Sequence, residues 1–428
     1  MNGVAASRRT RDLTPMISLY DSPIRHASGL AKDAPALTFV LGSASLTTQR
    51  SLGLLLVAAL TCAVAATVLV WRAVRQPMTV AQNSVIPPPT VAGGAFVKVW
   101  STDKPGPVRA LAPAPDGFYA LADDHIYRFD ADGNPQSRFT APSRAHRIAT
   151  DARGAIPFLA VVSSLPRQVG DVILDGDYFL HLYDAGGRER WKQRFDGNEF
   201  AGLEPLITTL DGRPVVVLSA RKRILCFDID GALIWNVALW HHPGTLASIN
   251  TQQGGPGFLL AGLASRRDIV RIDGRGTVMG TWASMIGLWV AREDPSRLAT
   301  APSPSGGFAA IALRQVQESG AFVRLALTFF DGAGTVLNES ELPLSTRPLG
   351  FSPIASMDAG AGAFWVVAVG DGLVHAFSLQ GRRLVTQEMG APFTMCAAVQ
   401  RGGRTSLLVT AVRRELVAWR PDPTTLNW

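Results

Sequence analysis

"YFLHLYDAGGRERWKQRFDG", residues 178–197, alternates apolar and polar side chains up to Tyr183, turns through Asp184 to Gly187, and leaves through Trp191. That spelling encodes a β-hairpin. Period-two alternation gives one strand face to a core. The aspartate side chain caps the turn, and the glycine takes the positive φ that other residues avoid.

The phrase recurs along the chain. It reads "HIYRFDADGNPQSRF" from His125, "RILCFDIDGALIWNVAL" from Arg223, "DIVRIDGRGTVMGTW" from Asp268, "LALTFFDGAGTVLNESEL" from Leu325, "LVHAFSLQGRRLVTQEM" from Leu373 and "ELVAWRPDPTTLNW" from Glu415. The position leading each turn is Asp130, Asp184, Asp228, Asp273, Asp331, Ser378 and Arg420, at spacings of 42 to 58 residues. Gly133, Gly187, Gly231, Gly276, Gly334 and Gly381 hold one place in six copies, and Pro423 holds it in the last. Ahead of each hairpin lies another strand pair with its own turn, as in "RALAPAPDGFYALAD" (109–123) and "PLITTLDGRPVVVLSA" (205–220).

Two hairpins per ~45 residues make a four-stranded antiparallel unit, and such units repeated radially make a β-propeller. A solenoid is the competing architecture, but helical periodicity is missing. The expected fold over 95–428 is therefore all-β, a propeller of seven blades. The last copy ends at Trp428 soon after its third strand, and "AFVKVW" (95–100) has the alternation to supply an outer strand. The chain would then close on itself and leave no open edge.

The repeat resembles the PQQ-like propeller family, whose blades carry D-x-x-G-x-x-x-W; "YDAGGRERW" (183–191) and "FDIDGALIW" (227–235) match it. "IDGRGTVMGTW" is stretched, and the other copies keep the turn without the tryptophan. The family holds quinoprotein dehydrogenases and non-catalytic propellers of the outer-membrane assembly lipoprotein type, which work through protein contacts. The dehydrogenases carry a vicinal disulfide against the quinone. The cysteines here, Cys62, Cys226 and Cys396, are not adjacent, and no matching calcium and catalytic-aspartate set is present. The resemblance thus implies the non-catalytic branch, without a cofactor.

Residues 1–50 lack sustained periodicity and read as a disordered tail. Leu52–Trp71, within an expected transmembrane helix over 51–72, contains no charge and no proline across 20 residues. At ~1.5 Å per residue it spans a ~30 Å hydrocarbon core, so the lipid bilayer is an expected partner. A linker over 73–94 with Pro87, Pro88 and Pro89 favours an extended spacer. The tail carries six basic residues and the helix is followed by two, Arg72 and Arg75. That bias places the tail in the cytoplasm and the propeller in the periplasm, anchored at a bacterial inner membrane.

The formal charge is +7, yet residues 1–94 hold eight basic and three acidic groups, leaving 33 against 31 beyond them. A near-neutral propeller offers no general attraction to nucleic acid. "DADG" and "DIDG" lack the spacing and bidentate glutamate of a calcium loop. His181 and His375 share a register but fall in different blades. Adjacent His241 and His242 have no evident third metal ligand. No serine, cysteine or histidine arrangement suggests a nucleophile.

In a propeller, the turns joining second and third strands share one face with the connections between blades. On that face the sequence places Arg221, Lys222, Arg223, Arg266, Arg267, Arg413 and Arg414 beside Trp240, His241, His242 and Trp289. Arginine with exposed aromatics is the composition of interface anchors. The expected function is a protein-interaction scaffold or subunit of an envelope complex, with other membrane or envelope proteins as partners. A ligand- or glycan-binding sensor using the central funnel is the alternative, and a degenerate quinoprotein dehydrogenase the third.

Overall fold

The computed structural model describes residues 94–428 except 104–105, 152–155, 170–171, 198–203, 250–256, 264–267, 284–296, 305–306, 319–320, 344–353, 361, 370–371, 394, 403, 413–414 and 427. The expected tail, transmembrane helix and most of the linker lie outside the described residues. Among the described residues no helix is long and apolar enough to cross a membrane.

Seven four-stranded antiparallel sheets form a β-propeller. Blades 1 to 6 run over 108–140, 145–195, 204–238, 243–283, 297–343 and 354–388. Blade 7 takes three strands, Met395–Arg401, Arg404–Val412 and Glu415–Pro421, and its outer strand is Phe96–Asp103 from the other end of the propeller. That strand pairs antiparallel from Phe96 opposite Pro421 to Asp103 opposite Glu415. First strands of successive blades touch around the ring, including blade 7 against blade 1, so they line the central channel.

Hydropathy follows position within the blade. Second strands such as "GFYALA" (117–122) and "FLLAGL" (258–263) are buried almost throughout, because both sheet faces meet a neighbouring blade. Outer strands such as "PQSRFT" (135–140) are mostly exposed. The apolar core is accordingly divided into seven clusters, each between two adjacent blades.

The hairpin turns share one geometry. Asp228 Oδ1 accepts the N–H groups of Asp230 and Ala232 at 3.0 and 2.8 Å, and Gly231 N–H donates to Asp228 O at 3.2 Å. Asp130, Asp184, Asp273 and Asp331 repeat the pattern, and Ser378 Oγ accepts from Arg382 N–H at 3.2 Å. In blade 7 the capping passes to Asp422, which accepts from Thr424 N–H at 3.0 Å and donates its own N–H to Ala95 O at 2.8 Å.

Each outer strand then carries a one-residue bulge: Gln136, Arg190, Ile234, Met279, Leu337, Leu384 and, in the closing strand, Val99. A bulge re-aims the side chain that follows it. The tryptophan one residue later points into the next blade's turn. Trp191 Nε1–H donates to Ile229 O at 2.9 Å, Trp235 to Gly274 O at 2.9 Å, and Trp100 to Ala131 O at 3.0 Å. The rings lie on the turn glycines, so a Cβ on Gly231, whose φ is +89°, would stand 3.0 Å from Trp191 Cγ.

Three consequences are measurable by denaturant unfolding. Trp100→Ala should cost about 3 kcal/mol by opening the junction of blades 7 and 1. Trp240→Ala, at an exposed site, should cost under about 0.5 kcal/mol. Gly231→Ala should cost more than about 1 kcal/mol through the left-handed backbone and the crowded indole. Equal midpoints for Trp100→Ala and wild type would remove the closing role assigned to Trp100.

Candidate functional site

Strand direction sorts the loops. Turns between third and outer strands lie on one face, the turn face; turns between second and third strands, with the inter-blade connections, lie on the opposite, connection face. A backbone clamp recurs on the connection face. Leu239 N–H donates to Lys222 O at 2.7 Å, Ala141 to Asp124 O at 2.8 Å, and Met389 to Gly372 O at 2.8 Å.

In blade 3 this clamp draws Arg221, Lys222 and Arg223 of one turn toward Trp240, His241 and His242 of the next connection. The three cationic residues are exposed, the histidines are half-buried, and Trp240 is 51% exposed between buried Leu239 and Pro243. An indole held out from two buried neighbours presents apolar area without a large ordering cost. Arg266, Arg267, Trp289, Arg413 and Arg414 lie outside the described residues.

The connection face of blades 1 and 2 holds a feature that sequence reasoning missed. A concavity of about 430 Å³ is lined by Arg109, Arg144, Ala145, His146, Arg147, Ser164 and Tyr178. His146 and Arg147 also line a smaller cavity of about 40 Å³ with Ala110, Glu204 and Met395, residues of three other first strands at the channel mouth. Arg109 stands 3.9 Å from the exposed carboxylate of Asp124, and Arg147 stands 3.5 Å from Glu204. The charge comes from four separated stretches, so no local motif announces it.

Beside it lies a third cavity, of about 280 Å³, lined partly by Ser163, His181, Tyr183, Glu189 and Lys192. Ser163 and Ser164 open to different cavities because successive strand residues face opposite ways. Here the structure assembles a serine–histidine–glutamate chain that the sequence does not reveal. His181 Nε2 lies 2.9 Å from Ser163 Oγ, His181 Nδ1 lies 2.9 Å from Glu189 Oε2, and Tyr183 O–H donates to Glu189 Oε2 at 3.3 Å. Ser163 sits between Ala145 and Phe179 in the sheet, where backbone amides are committed to ladder pairing rather than to an oxyanion. The chain satisfies a buried imidazole. Burial lowers the pKa of His181, and the hydrogen bond and charge of Glu189 oppose that shift.

His375 occupies the same register in blade 6 and faces Thr386, with Nδ1 2.8 Å from Oγ1. The two histidines stay apart, and among the described residues no histidine, cysteine and carboxylate group could hold a metal ion. Cys226 and Cys396 are buried thiols outside any disulfide, and burial pushes both pKa values up to about 12.

Burial lowers His375 to about pKa 4. The unfolded imidazole, near 6.5, binds a proton that the folded one refuses, so stability falls as pH drops from ~6.5 toward 4. His375→Gln should flatten that part of the stability curve by up to about 3 kcal/mol, read from denaturation midpoints across this range. An unchanged slope would contradict the assignment. Both described cysteines should resist iodoacetamide at neutral pH in the native state and react on unfolding.

No family model matches the chain, and no curated protein does. Among solved structures, two crystal structures of BBS1N in complex with ARL6DN, one soaked with mercury and one with lead, are similar. One has a TM-score of 0.55 at 11% identity, covering 78% of this chain and 99% of that one; the other has 0.52 at 12%, covering 77% and 98%. BamB from Moraxella catarrhalis aligns at a TM-score of 0.47 and 14% identity over 76% of this chain and 99% of that one. At such identities the likeness is one of fold, and the chain is a seven-bladed β-propeller similar in fold to BBS1N.

Proposed function

We propose that the chain is a non-catalytic, membrane-anchored scaffold that binds a protein partner through the connection face of its propeller. The observation that carries this reading is the blade 3 clamp, which sets Arg221–Arg223 beside half-exposed Trp240 on a rigid sheet end. Arginine and tryptophan supply most of the energy of protein interfaces. A propeller of similar fold is found in complex with ARL6DN, which supports a protein rather than a small molecule as the occupant.

In this reading Leu52–Trp71 anchors the chain in a bacterial inner membrane with residues 1–50 in the cytoplasm. The proline linker holds the propeller off the bilayer in the periplasm, where its face meets a subunit of an envelope complex. The D-x-x-G-x-x-x-W phrase supports a PQQ-like repeat, and a sequence with no two adjacent cysteines supports its non-catalytic branch.

Crosslinking mass spectrometry on native membranes tests the proposal, comparing wild type with Arg221→Glu/Arg223→Glu/Trp240→Ala. One stoichiometric partner, crosslinked near blade 3 and lost in a variant that melts normally, is the expected result. Crosslinks that survive the variant would refute this face, and recovery of no protein would refute the scaffold.

A further inference from the structure

The connection between blades 1 and 2 contains a backbone conformation that its residue does not favour. Ala145 N–H donates to Pro142 O at 3.0 Å, closing a four-residue turn, and Arg144 stands at the third position with φ +55°. A turn of this kind asks for glycine there. The other described non-glycine residues with positive φ, Asp116, Asp123 and Asp211, are aspartates, a type that tolerates the left-handed region. Arginine has no such local compensation. Strain of this sort persists where the side chain is needed.

The Arg144 side chain lines the 430 Å³ concavity with Arg109, His146 and Arg147. Two of these arginines already illustrate the chemistry the cavity accepts. Glu204 carboxylate sits 3.5 Å from Arg147 at the channel mouth, and Asp124, its side chain 88% exposed, sits 3.9 Å from Arg109. An exposed pair at that distance contributes little and exchanges readily for a better-placed acid. Three guanidiniums meet two carboxylates, an excess of positive charge, and Tyr178 and Met395 provide apolar wall for carbon stems.

We propose that this concavity, leading into the channel mouth, receives an acidic peptide segment of the partner, with Arg144 and Arg109 binding its carboxylates. The proposal rests on the scaffold reading and names the partner's chemistry. A long polyanion is disfavoured because the propeller around the cavity is nearly neutral, with 33 basic and 31 acidic residues over 95–428. The attraction is confined to the cavity and matches a short acidic stretch.

The test is fluorescence anisotropy of a labelled hexaglutamate peptide with the full chain in detergent, with hexaserine and inorganic phosphate as controls. Saturable binding of hexaglutamate but not hexaserine is expected. Arg109→Gln and Arg144→Gly should each weaken it about tenfold, the loss of a charge-assisted hydrogen bond. Arg144→Gly should keep or raise the melting temperature, since glycine relieves the turn. Wild-type binding by Arg144→Gly, or its marked destabilisation, would overturn the assignment. Displacement of the peptide by equimolar phosphate would also overturn it, in favour of a small-anion site. If hexaglutamate fails to bind while the partner still crosslinks near blade 3, the acidic-segment site falls and the scaffold stands; the absence of any protein crosslinked to the wild type sinks the scaffold itself.

Discussion

An aromatic ring from one blade lying on the turn glycine of the next is the contact on which the ring of sheets depends. A single four-stranded sheet cannot bury its apolar faces alone, and here the core exists only between blades. Something must fix the angle and height at which each sheet meets its neighbour. The tryptophans do so with two interactions at once, apolar contact over the glycine and an indole N–H directed at a turn carbonyl. The glycine is required twice over, for its positive φ and for the space where a Cβ would strike the ring.

The bulge makes this possible. Without the extra residue in the outer strand, strict alternation would place the following side chain on the opposite face. The same bulge and tryptophan recur in the closing strand, at Val99 and Trp100, although that strand comes from the other end of the propeller. The propeller therefore closes with the same contact that joins its interior blades. Its closure is further tied by Gln387, which accepts from Phe96 N–H at 2.7 Å and donates to Phe96 O at 2.9 Å, bridging blades 6 and 7.

Much of this architecture is legible in the sequence because turn chemistry is local. Aspartate capping in five turns and serine capping in a sixth, with positive-φ glycine and period-two alternation, identify six of the turns directly. The seventh is legible only in outline: Asp422, not Arg420, does the capping. The latch is harder to read where its chemistry is replaced. Blade 5 uses Asn338, whose side-chain amide donates to Gly381 O at 2.9 Å, and blades 1 and 4 use Phe139 and Trp282 two residues further on. Those substitutions preserve a contact across blades rather than a motif along the chain. The candidate site divides in the same way. Topology alone places Arg221–Arg223 near Trp240, whereas the cavity at Arg109, Arg144 and Arg147 and the Ser163–His181–Glu189 chain need residues brought together by pairing register and by the ring.

The latches also bear on why the proposed binding residues gather on one face. The aromatic contacts on Gly133, Gly187, Gly231, Gly276 and Gly334 all involve the turn between third and outer strands, so turn-face residues are constrained by packing as well as by backbone shape. The connection face is held by backbone clamps that use only main-chain N–H and C=O groups. Side chains there are left to vary, and they do: exposed cationic residues and an indole in blade 3, a strained arginine between blades 1 and 2, an aspartate pair at 123–124. Loops on a rigid scaffold are where binding residues gather. Because the propeller as a whole is close to neutral, a few such side chains set the local field without competition from a global one.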